Sequence, residues 1–318
     1  MSSWRQSPLW TRQCLAFLCL FLVLGCDQGE EVREVDFSRT VQVSVPIVHL
    51  SDRPVLRTAV GAMISPQETH ETYLQLLVYV SEQLGMDQEF VQRKTYAKVN
   101  DLLGKGELDL AFICSGPYAL GRESHGFELL VAPEVQGAPV YYSYLIVHQD
   151  SAYQALEDLR GASFAFTDAH SNTGRLVPEY WLALMGECPE TFFRESIFTY
   201  SHDNSIQAVA QGLVDGAAVD SLIWDYYALK NPEHTSCTRI IKRSSPYGIP
   251  PIVVGNALSR ELVEQIRTVF LNMHDDPHGA AILGELMIDR FVSADQAWYE
   301  SIGDLQGHVD AVQGTGGS

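Results

Sequence analysis

The chain alternates short apolar runs with stretches in which apolar residues recur every three or four positions. The first pattern predicts buried β-strands, and the second predicts amphipathic helices. Ser65 and Pro66 are typical of a helix start, as cap and first residue, and Gly85 ends that helix. In the N-terminal part, the predicted strands are 55–64, 89–92, 108–113, 127–133 and 141–148, and the predicted helices are 66–84 and a short one around 99–103.

The same alternation restarts after residue 150. The predicted strands are 163–167, 196–200, 217–219, 238–242 and 250–254, and the predicted helices are 156–159, 174–185, 204–211, 223–229, 259–273, 278–288 and 294–305. Two successive series of strands and helices predict two α/β lobes rather than one sheet. The extended segments near 137–147 and 246–255 are natural crossovers between the lobes.

These crossovers predict a division of the chain. Lobe I comprises 41–140 and 251–305, so that the C-terminal helices pack in it. Lobe II comprises 141–250, and a cleft lies between the lobes at the hinge. Residues 306–318 are expected to form a disordered tail.

The N-terminus carries a targeting signal. Arg5 and Arg12 precede and flank an apolar run over 14–24, which is too short for a bilayer span of about 20 residues but typical of a signal peptide. The run ends in Val23-Leu24-Gly25-Cys26, which resembles the bacterial lipobox. The resemblance implies a signal peptide at 1–25, a lipid on Cys26 and an acidic tether at 26–40; plain secretion is the alternative. Asp27, after the modified Cys26, resembles an inner-membrane retention signal.

Charge and cysteine content narrow the class of protein. The 318 residues include 40 Asp and Glu against 21 Lys and Arg, a net charge of −19, which disfavours nucleic acid and anionic headgroups as partners. Three cysteines follow Cys26, so at most one disulfide can form among them. Cys188 with Cys237 is the favoured pair because both fall in lobe II. Cys114 is expected to be a buried thiol.

The segment 167–178 is the strongest chemical signal. A strand ends there, and small hydroxyl and amide side chains lead directly into a helix. The first N–H groups of a helix have no intrahelical partner, and the helix dipole favours negative charge at that end. Ser171 and Thr173 add hydroxyl donors, and Gly174 permits close approach of a ligand. On these residues alone, an ordinary N-cap remains the alternative.

Residues 168–178 resemble the signature D-x-x-S-[TS]-[ST]-G-x-L-x-P of the PhnD-like family, the phosphonate-, phosphite- or phosphate-binding subunits of ABC transporters. Further matches, in family order over about 55–290, are 65–69, 96–97, 108–111, 141–151 and 201–220. The resemblance implies an α/β, two-lobed fold of the type II periplasmic-binding-protein kind, with a hinge and an interlobe cleft. It also implies a monomeric, extracytoplasmic binding protein that is not an enzyme, needs no cofactor or metal, and delivers its ligand to an ABC permease. A membrane sensor kinase is the alternative partner.

The resemblance also implies which residues meet the oxyanion. Asn172 departs from the family's commoner hydroxyl residue and offers an amide donor instead. His202 could otherwise be a surface residue capping the next helix, and the two tyrosines could be packing residues. The expected ligand-binding residues are Ser171, Asn172, Thr173, Gly174, His202, Tyr96, Tyr141 and Asp220.

Two positions limit the range of ligands that the protein is expected to bind. Family members that bind 2-aminoethylphosphonate place acidic side chains at positions that align with Leu222 and Pro250. Neither residue can pair with an ammonium group, whose burial without a partner is costly. The expected ligand is therefore phosphite, phosphate, methylphosphonate or a similar small species without an amine, although Asp220 could substitute for the missing acids.

Two sharper interpretations are rejected. Ser171, His202 and Asp220 could suggest a hydrolase triad, but Ser171 lacks the G-x-S-x-G turn that presents a nucleophile. The run 274–278 has the composition of a metal cluster. Because Pro277 follows two acids, it is better explained as a break between helices, with Asp276 as N-cap.

Overall fold

A computed structural model describes residues 52–315, without the side chains of 66–68, 70–72 and 315. The predicted signal peptide, Cys26, the tether and the first residues of lobe I, up to 51, lie outside the described residues. Between 52 and 315, no helix has the length and apolar character that a bilayer span requires.

The strands of the described range are β1 (Val55–Val60), β2 (Asp87–Val91), β3 (Leu110–Phe112), β4 (Glu128–Glu134), β5 (Val140–Tyr141), β6 (Ser143–His148), β7 (Ser163–Phe166), β8 (Glu195–Phe198), β9 (Gly216–Asp220), β10 (Thr238–Arg243), β11 (Tyr247–Gly248), β12 (Ile252–Val254) and β13 (Arg290–Ser293). The α-helices are α1 (Pro66–Gln83), α2 (Tyr96–Gly104), α3 (Ser115–His125), α4 (Val177–Ala183), α5 (Pro189–Phe192), α6 (His202–Ala210), α7 (Ser221–Lys230), α8 (Arg260–Asn272), α9 (Pro277–Glu285) and α10 (Glu300–Thr315). A π-helix, Asn172–Leu176, leads directly into α4.

The first lobe is built on a six-stranded sheet in the order β13-β4-β12-β3-β1-β2. β1 is parallel to β2 and β3, whereas β12 runs antiparallel between β3 and β4. Helices α1, α8 and α9 bury Leu76, Phe270 and Leu283 in the core of this lobe. Because β12 comes from a distant part of the chain, this sheet joins two separate stretches of sequence.

The second lobe is built on a five-stranded sheet in the order β10-β6-β9-β7-β8. β6 is its most apolar strand, and successive side chains of a strand point to opposite faces. Tyr144 and Ile146 join the cluster that contains α6, and Leu145 and Val147 join the cluster that contains α4. Burial on both faces explains the unbroken apolar run in this strand.

The two crossings between the lobes pair with each other. β5 and β11 form a two-stranded antiparallel ribbon in which Tyr141 lies opposite Tyr247 and Val140 opposite Gly248. The extended crossover segments predicted near 137–147 and 246–255 therefore hydrogen-bond side by side, where they hold Tyr141 between the two sheets.

The C-terminus differs from the prediction. Residues 300–315 form α10 instead of ending in a disordered tail from 306. Ile302, Leu305 and Val309 recur at helical spacing and are buried, which explains the extra order. α8 and α9 pack in the first lobe as expected, whereas α10 contacts both α3 of the first lobe and α4 of the second.

The favoured disulfide is also wrong. Cys188 and Cys237 are both free thiols. Each sulfur has a partner within its own turn: Cys188 Sγ lies 3.3 Å from Thr191 Oγ1, and Cys237 Sγ lies 3.7 Å from the carbonyl of Glu233. The buried Cys114 thiol is confirmed, and burial raises its pKa to about 11.

Candidate functional site

The segment 171–176 is a capped π-helix rather than a regular first turn. Ser171 is the N-cap, and its Oγ accepts a hydrogen bond from Gly174 N at 3.0 Å. Ser143 Oγ donates to the Thr173 carbonyl at 2.7 Å. A Cβ on Gly174 would collide with the Thr167 side chain, so the turn requires glycine there. Local π-helical turns are frequent at functional sites, and this one positions the Asn172 and Thr173 side chains.

Three of the predicted site residues lie at helix starts, one in the first lobe and two in the second. Tyr96 begins α2 and His202 begins α6, while Asn172 begins the π-helix. Each is at most 1% exposed. Helix N-termini carry partial positive charge and unpaired N–H groups, so a negative group is favoured where they converge.

Tyr141 joins the lobes at the centre of the site. Its Oη accepts a hydrogen bond from Asn172 Nδ2 at 3.1 Å and makes a short hydrogen bond with Ser115 Oγ, the first residue of α3. Burial raises the pKa of Tyr141 and of Tyr96 well above the usual tyrosine value. Both hydroxyls therefore stay protonated at any physiological pH, and the Tyr96 hydroxyl, which has no partner among the described residues, can donate to an anion.

His202 has a defined tautomer. The backbone N–H of Asp220 donates to its Nδ1 at 3.0 Å, so the proton of the neutral ring is on Nε2. Burial lowers the pKa of His202 to about 3, which keeps the ring neutral. In a hydrolase triad, by contrast, the same nitrogen would donate to a carboxylate.

Asp220 lies beside this group but is engaged as a helix cap. Its Oδ1 accepts from Leu222 N at 2.8 Å at the start of α7. Burial raises the pKa of this carboxyl to about 7, and its charge raises the pKa of Tyr96 and Tyr141 as well. Asp220 is thus near the tyrosines, with its own oxygens oriented by α7.

Several site atoms are buried without a partner. Among residues 52–315, the side-chain atoms that are both buried and lacking a hydrogen-bond partner include Tyr96 Oη, Thr173 Oγ1, His202 Nε2 and Asn172 Oδ1. An unsatisfied buried polar group costs about 1–3 kcal/mol, so a native fold retains one for a reason. Three of these four atoms are hydrogen-bond donors, which matches the acceptor-rich surface of an oxyanion.

Contacts between the lobes hold these donors together. Asp168 Oδ2 accepts from Tyr96 N at 3.2 Å, and the Met63 carbonyl accepts from His202 N at 2.8 Å. Gly116 of α3 approaches the opposite lobe so closely that a Cβ would lie 2.5 Å from the His170 carbonyl oxygen. The structure is therefore a closed arrangement of the two lobes.

The arginine of the motif is engaged with other groups. Arg175 donates to Glu179 Oε1 at 2.7 Å and to the Ala169 carbonyl at 2.6 Å. The buried donors Tyr96 Oη, Thr173 Oγ1 and His202 Nε2 belong to uncharged side chains. An anion there would be stabilised by hydroxyl, imidazole and helix-terminal N–H groups without a buried counter-cation and its desolvation cost.

Sequence reasoning missed three neighbours of the site. Cys114 and Ser115 adjoin Tyr141, and Asp168 links Tyr96 to the motif. The available signal was the small-residue run Cys114-Ser115-Gly116 after an apolar strand, the same strand-to-helix pattern as in 167–174. Its Gly and Pro content disfavoured a helix prediction for α3.

The run 274–278 is a break between two helices. Asp276 caps α9 by accepting from Gly279 N at 2.8 Å, with Pro277 as the first helical residue, as predicted. In the part of the chain that the structure describes, no group of three or more His, Cys, Asp or Glu side chains is placed to hold a metal ion.

Two curated proteins with related sequences are named for phosphate import and for phosphite binding. The phosphate-import protein PhnD of Mycolicibacterium smegmatis is 28% identical over 244 residues, which cover 69% of this chain and 75% of that protein. The probable ABC transporter phosphite-binding protein PhnD1 of Prochlorococcus marinus is 26% identical over 169 residues, covering 51% of this chain and 57% of that protein.

Solved structures show the same fold. A binding protein component of an ABC phosphonate transporter from Pseudomonas aeruginosa superposes with a TM-score of 0.78 at 24% identity, covering 82% of this chain and 88% of that one. PhnD1 of Prochlorococcus marinus, in complex with methylphosphonate, gives a TM-score of 0.73 at 20% identity, covering 80% and 98%. The predicted two-lobed, type II periplasmic-binding-protein fold is confirmed.

A family model for the periplasmic substrate-binding protein of phosphonate ABC transporters matches residues 59–299, most of the described range. The chain belongs to the family of periplasmic substrate-binding proteins of phosphonate ABC transporters.

Proposed function

We propose that this protein binds one small phosphorus oxyanion between its lobes, at the donors gathered around Thr173, and delivers it to an ABC importer. The observation that carries this proposal is a set of buried donors that have no partner among residues 52–315: Tyr96 Oη, Thr173 Oγ1 and His202 Nε2. Hydrogen bonds to an ionised oxygen are about twice as strong as neutral ones. A bound oxyanion would therefore more than offset the cost of burying these groups.

The donors come from both lobes, which couples binding to closure. Tyr96 belongs to the first lobe, and Thr173 and His202 belong to the second. A ligand that contacts all three interacts fully only with the closed form, and so shifts the population toward it. The closed form is then the state that a permease would recognise. We place the lobe boundaries at 41–140 with 251–305, and at 141–250.

The ligand we infer carries no amine. Leu222 and Pro250, at the positions where acidic residues would meet an ammonium group, are apolar, and Pro250 is buried. Asp220, the acid two residues before Leu222, has its Oδ1 engaged with the α7 backbone. Phosphite, phosphate or a small phosphonate fits these surroundings.

The cellular setting follows from the N-terminal sequence. A lipid on Cys26 would anchor the protein to the inner membrane, and the acidic tether would let the lobes reach the permease. We infer that the receptor is monomeric. We also infer that it has no catalytic activity, because the site residues within 52–315 supply hydrogen-bond donors but no assembled nucleophile and base.

Isothermal titration of the purified chain with phosphate, phosphite, methylphosphonate, 2-aminoethylphosphonate and sulfate tests the proposal. We expect binding of at least one of the first three. Thr173→Val, which removes one donor at nearly constant shape, should weaken it about tenfold or more. Thr268→Val, on the exposed face of α8, is the matched control and should leave affinity unchanged. The absence of binding by all three amine-free phosphorus ligands contradicts the proposal.

A further inference from the structure

A lysine and a tyrosine from opposite lobes meet beside the donor site. The ammonium nitrogen of Lys94, in the loop between β2 and α2 of the first lobe, lies 3.9 Å from the ring centroid of Tyr200, in the loop between β8 and α6 of the second. A cation at this distance is attracted by the negative face of the aromatic ring. The other cation–ring contacts in the described range lie within the second lobe, so this one differs from them in joining the two lobes.

The pair adjoins two of the proposed ligand donors. Lys94 is two residues before Tyr96, and Tyr200 is two residues before His202. Tyr96 and His202 are at most 1% exposed, whereas Lys94 and Tyr200 are both exposed. The contact therefore lies at the solvent-facing edge of the site.

The backbone of Tyr200 has a conformation that a large side chain rarely adopts. Its φ is +66°, in the left-handed region that favours glycine. The Tyr200 N–H donates to the Thr167 carbonyl at 2.8 Å, which fixes this turn beside the start of the 168–178 motif. A tyrosine in this conformation indicates that its side chain contributes something that glycine does not, and the contact that crosses to the other lobe is its ring against Lys94.

We propose that Lys94 and Tyr200 form a latch that retains a bound oxyanion by holding the lobes closed. The inference rests on the proposed function and adds to it a pair of positioning residues, which keep Tyr96 and His202 together without contacting the ligand. Because the partners belong to different lobes, the contact is lost when the lobes separate and stabilises the closed form alone. The latch should therefore slow release of the ligand and leave its capture by the open form unchanged.

The exposure of the pair limits the size of the effect. A cation–π contact at an exposed site changes an equilibrium about two- to fivefold, equivalent to about 0.5–1 kcal/mol. We expect Lys94→Met and Tyr200→Leu each to raise the dissociation rate of the ligand about two- to fivefold, by the same factor for phosphate, phosphite and methylphosphonate. Tyr200→Phe keeps the ring and Lys94→Arg keeps the cation, so both should retain the slow dissociation.

Electrostatic attraction of the ligand is the competing role for Lys94. In a chain of net charge −19, a lysine at the edge of the site draws an anion toward the cleft, so its loss would lower the association rate, and Tyr200→Leu would change nothing. A latch predicts the opposite pattern. The double variant Lys94→Met/Tyr200→Leu adds a second criterion, because removing both partners of one contact costs about as much as removing either of them.

The test is stopped-flow tryptophan fluorescence of the full chain with phosphate, phosphite and methylphosphonate, which gives both rates. Lys242→Met is the matched control: its ammonium lies 4.9 Å from the ring centroid of Trp181 within the second lobe, so its loss should change neither rate. Unchanged dissociation rates in Lys94→Met and Tyr200→Leu, a loss confined to the association rate of Lys94→Met, a loss as large in Tyr200→Phe as in Tyr200→Leu, or additive losses in the double variant overturn the inference and leave the proposed function standing. If none of the three ligands binds, both fail.

Discussion

His202 offers a perturbation in which ligand binding and folding can be separated. Its two ring nitrogens have different partners: Nδ1 accepts from the Asp220 backbone at 3.0 Å, and Nε2 is a buried donor without a partner among the described residues. Asn at this position can keep an acceptor near the place of Nδ1 but has no donor at Nε2. Gln can place a donor near Nε2 but loses the acceptor.

The expected losses follow from these contacts. A hydrogen bond to a charged group contributes about 1.5–3 kcal/mol, so His202→Asn should weaken oxyanion binding about 10- to 150-fold with a small change in stability. His202→Gln leaves the Asp220 N–H buried and unpaired, which costs about 1–3 kcal/mol of unfolding free energy, while affinity changes less than in His202→Asn.

Isothermal titration measures the loss of oxyanion affinity, and urea denaturation without ligand measures the loss of unfolding free energy. The pH dependence adds a check on the neutral state of the buried ring. Because burial lowers the pKa of His202 to about 3, below its ordinary value of 6.5, its contribution to stability is present above about pH 6.5 and is lost as the pH falls toward 3. Affinity in His202→Asn within twofold of the unsubstituted protein would refute the role of Nε2 as a ligand donor.

Three further predictions concern neighbouring groups. Tyr96→Phe should weaken oxyanion binding about tenfold in titration while leaving the unfolding free energy of the ligand-free protein unchanged or higher, because the lost hydroxyl has no partner in the described structure; a clear loss of stability would contradict this. Gly116→Ala places a Cβ 2.5 Å from the His170 carbonyl oxygen and 2.9 Å from Asn172 N, so it should hinder closure and weaken binding about tenfold or more. Gly303→Ala, with open space around its Cβ, is the control, and equal affinity in the two variants would exclude the closure argument. Burial raises the pKa of Asp220 from 3.8 to about 7, so its contribution to stability is present below about pH 4 and is lost as the pH rises through 7. Urea denaturation should therefore show Asp220→Asn more stable, relative to the unsubstituted protein, at pH 8 than at pH 5, and the opposite order would show that the carboxyl is not destabilised by burial.

Most strands and the motif at 168–178 could be predicted from the sequence because their signals are local. An apolar run such as 143–148 needs burial on both faces wherever it lies, and small polar residues between a strand and a helix place N–H groups at the helix start. The family resemblance, rather than periodicity, brought Tyr96 and Tyr141 into the candidate site. Both lie there in the structure, with Tyr141 bonded to Asn172.

Only the tertiary structure decided how these parts meet. Asp168 and Ser115 form hydrogen bonds with residues more than 25 positions away, so no local pattern identifies them as site residues. The same holds for the tautomer of His202, which depends on a backbone N–H in β9. The apolar spacing of α10 is local, but the helices of both lobes that this apolar stripe contacts are set by the tertiary structure. Hydrogen bonds and burial between distant segments depend on how the sheets and helices pack, and the spacing of residues along one segment does not contain that information.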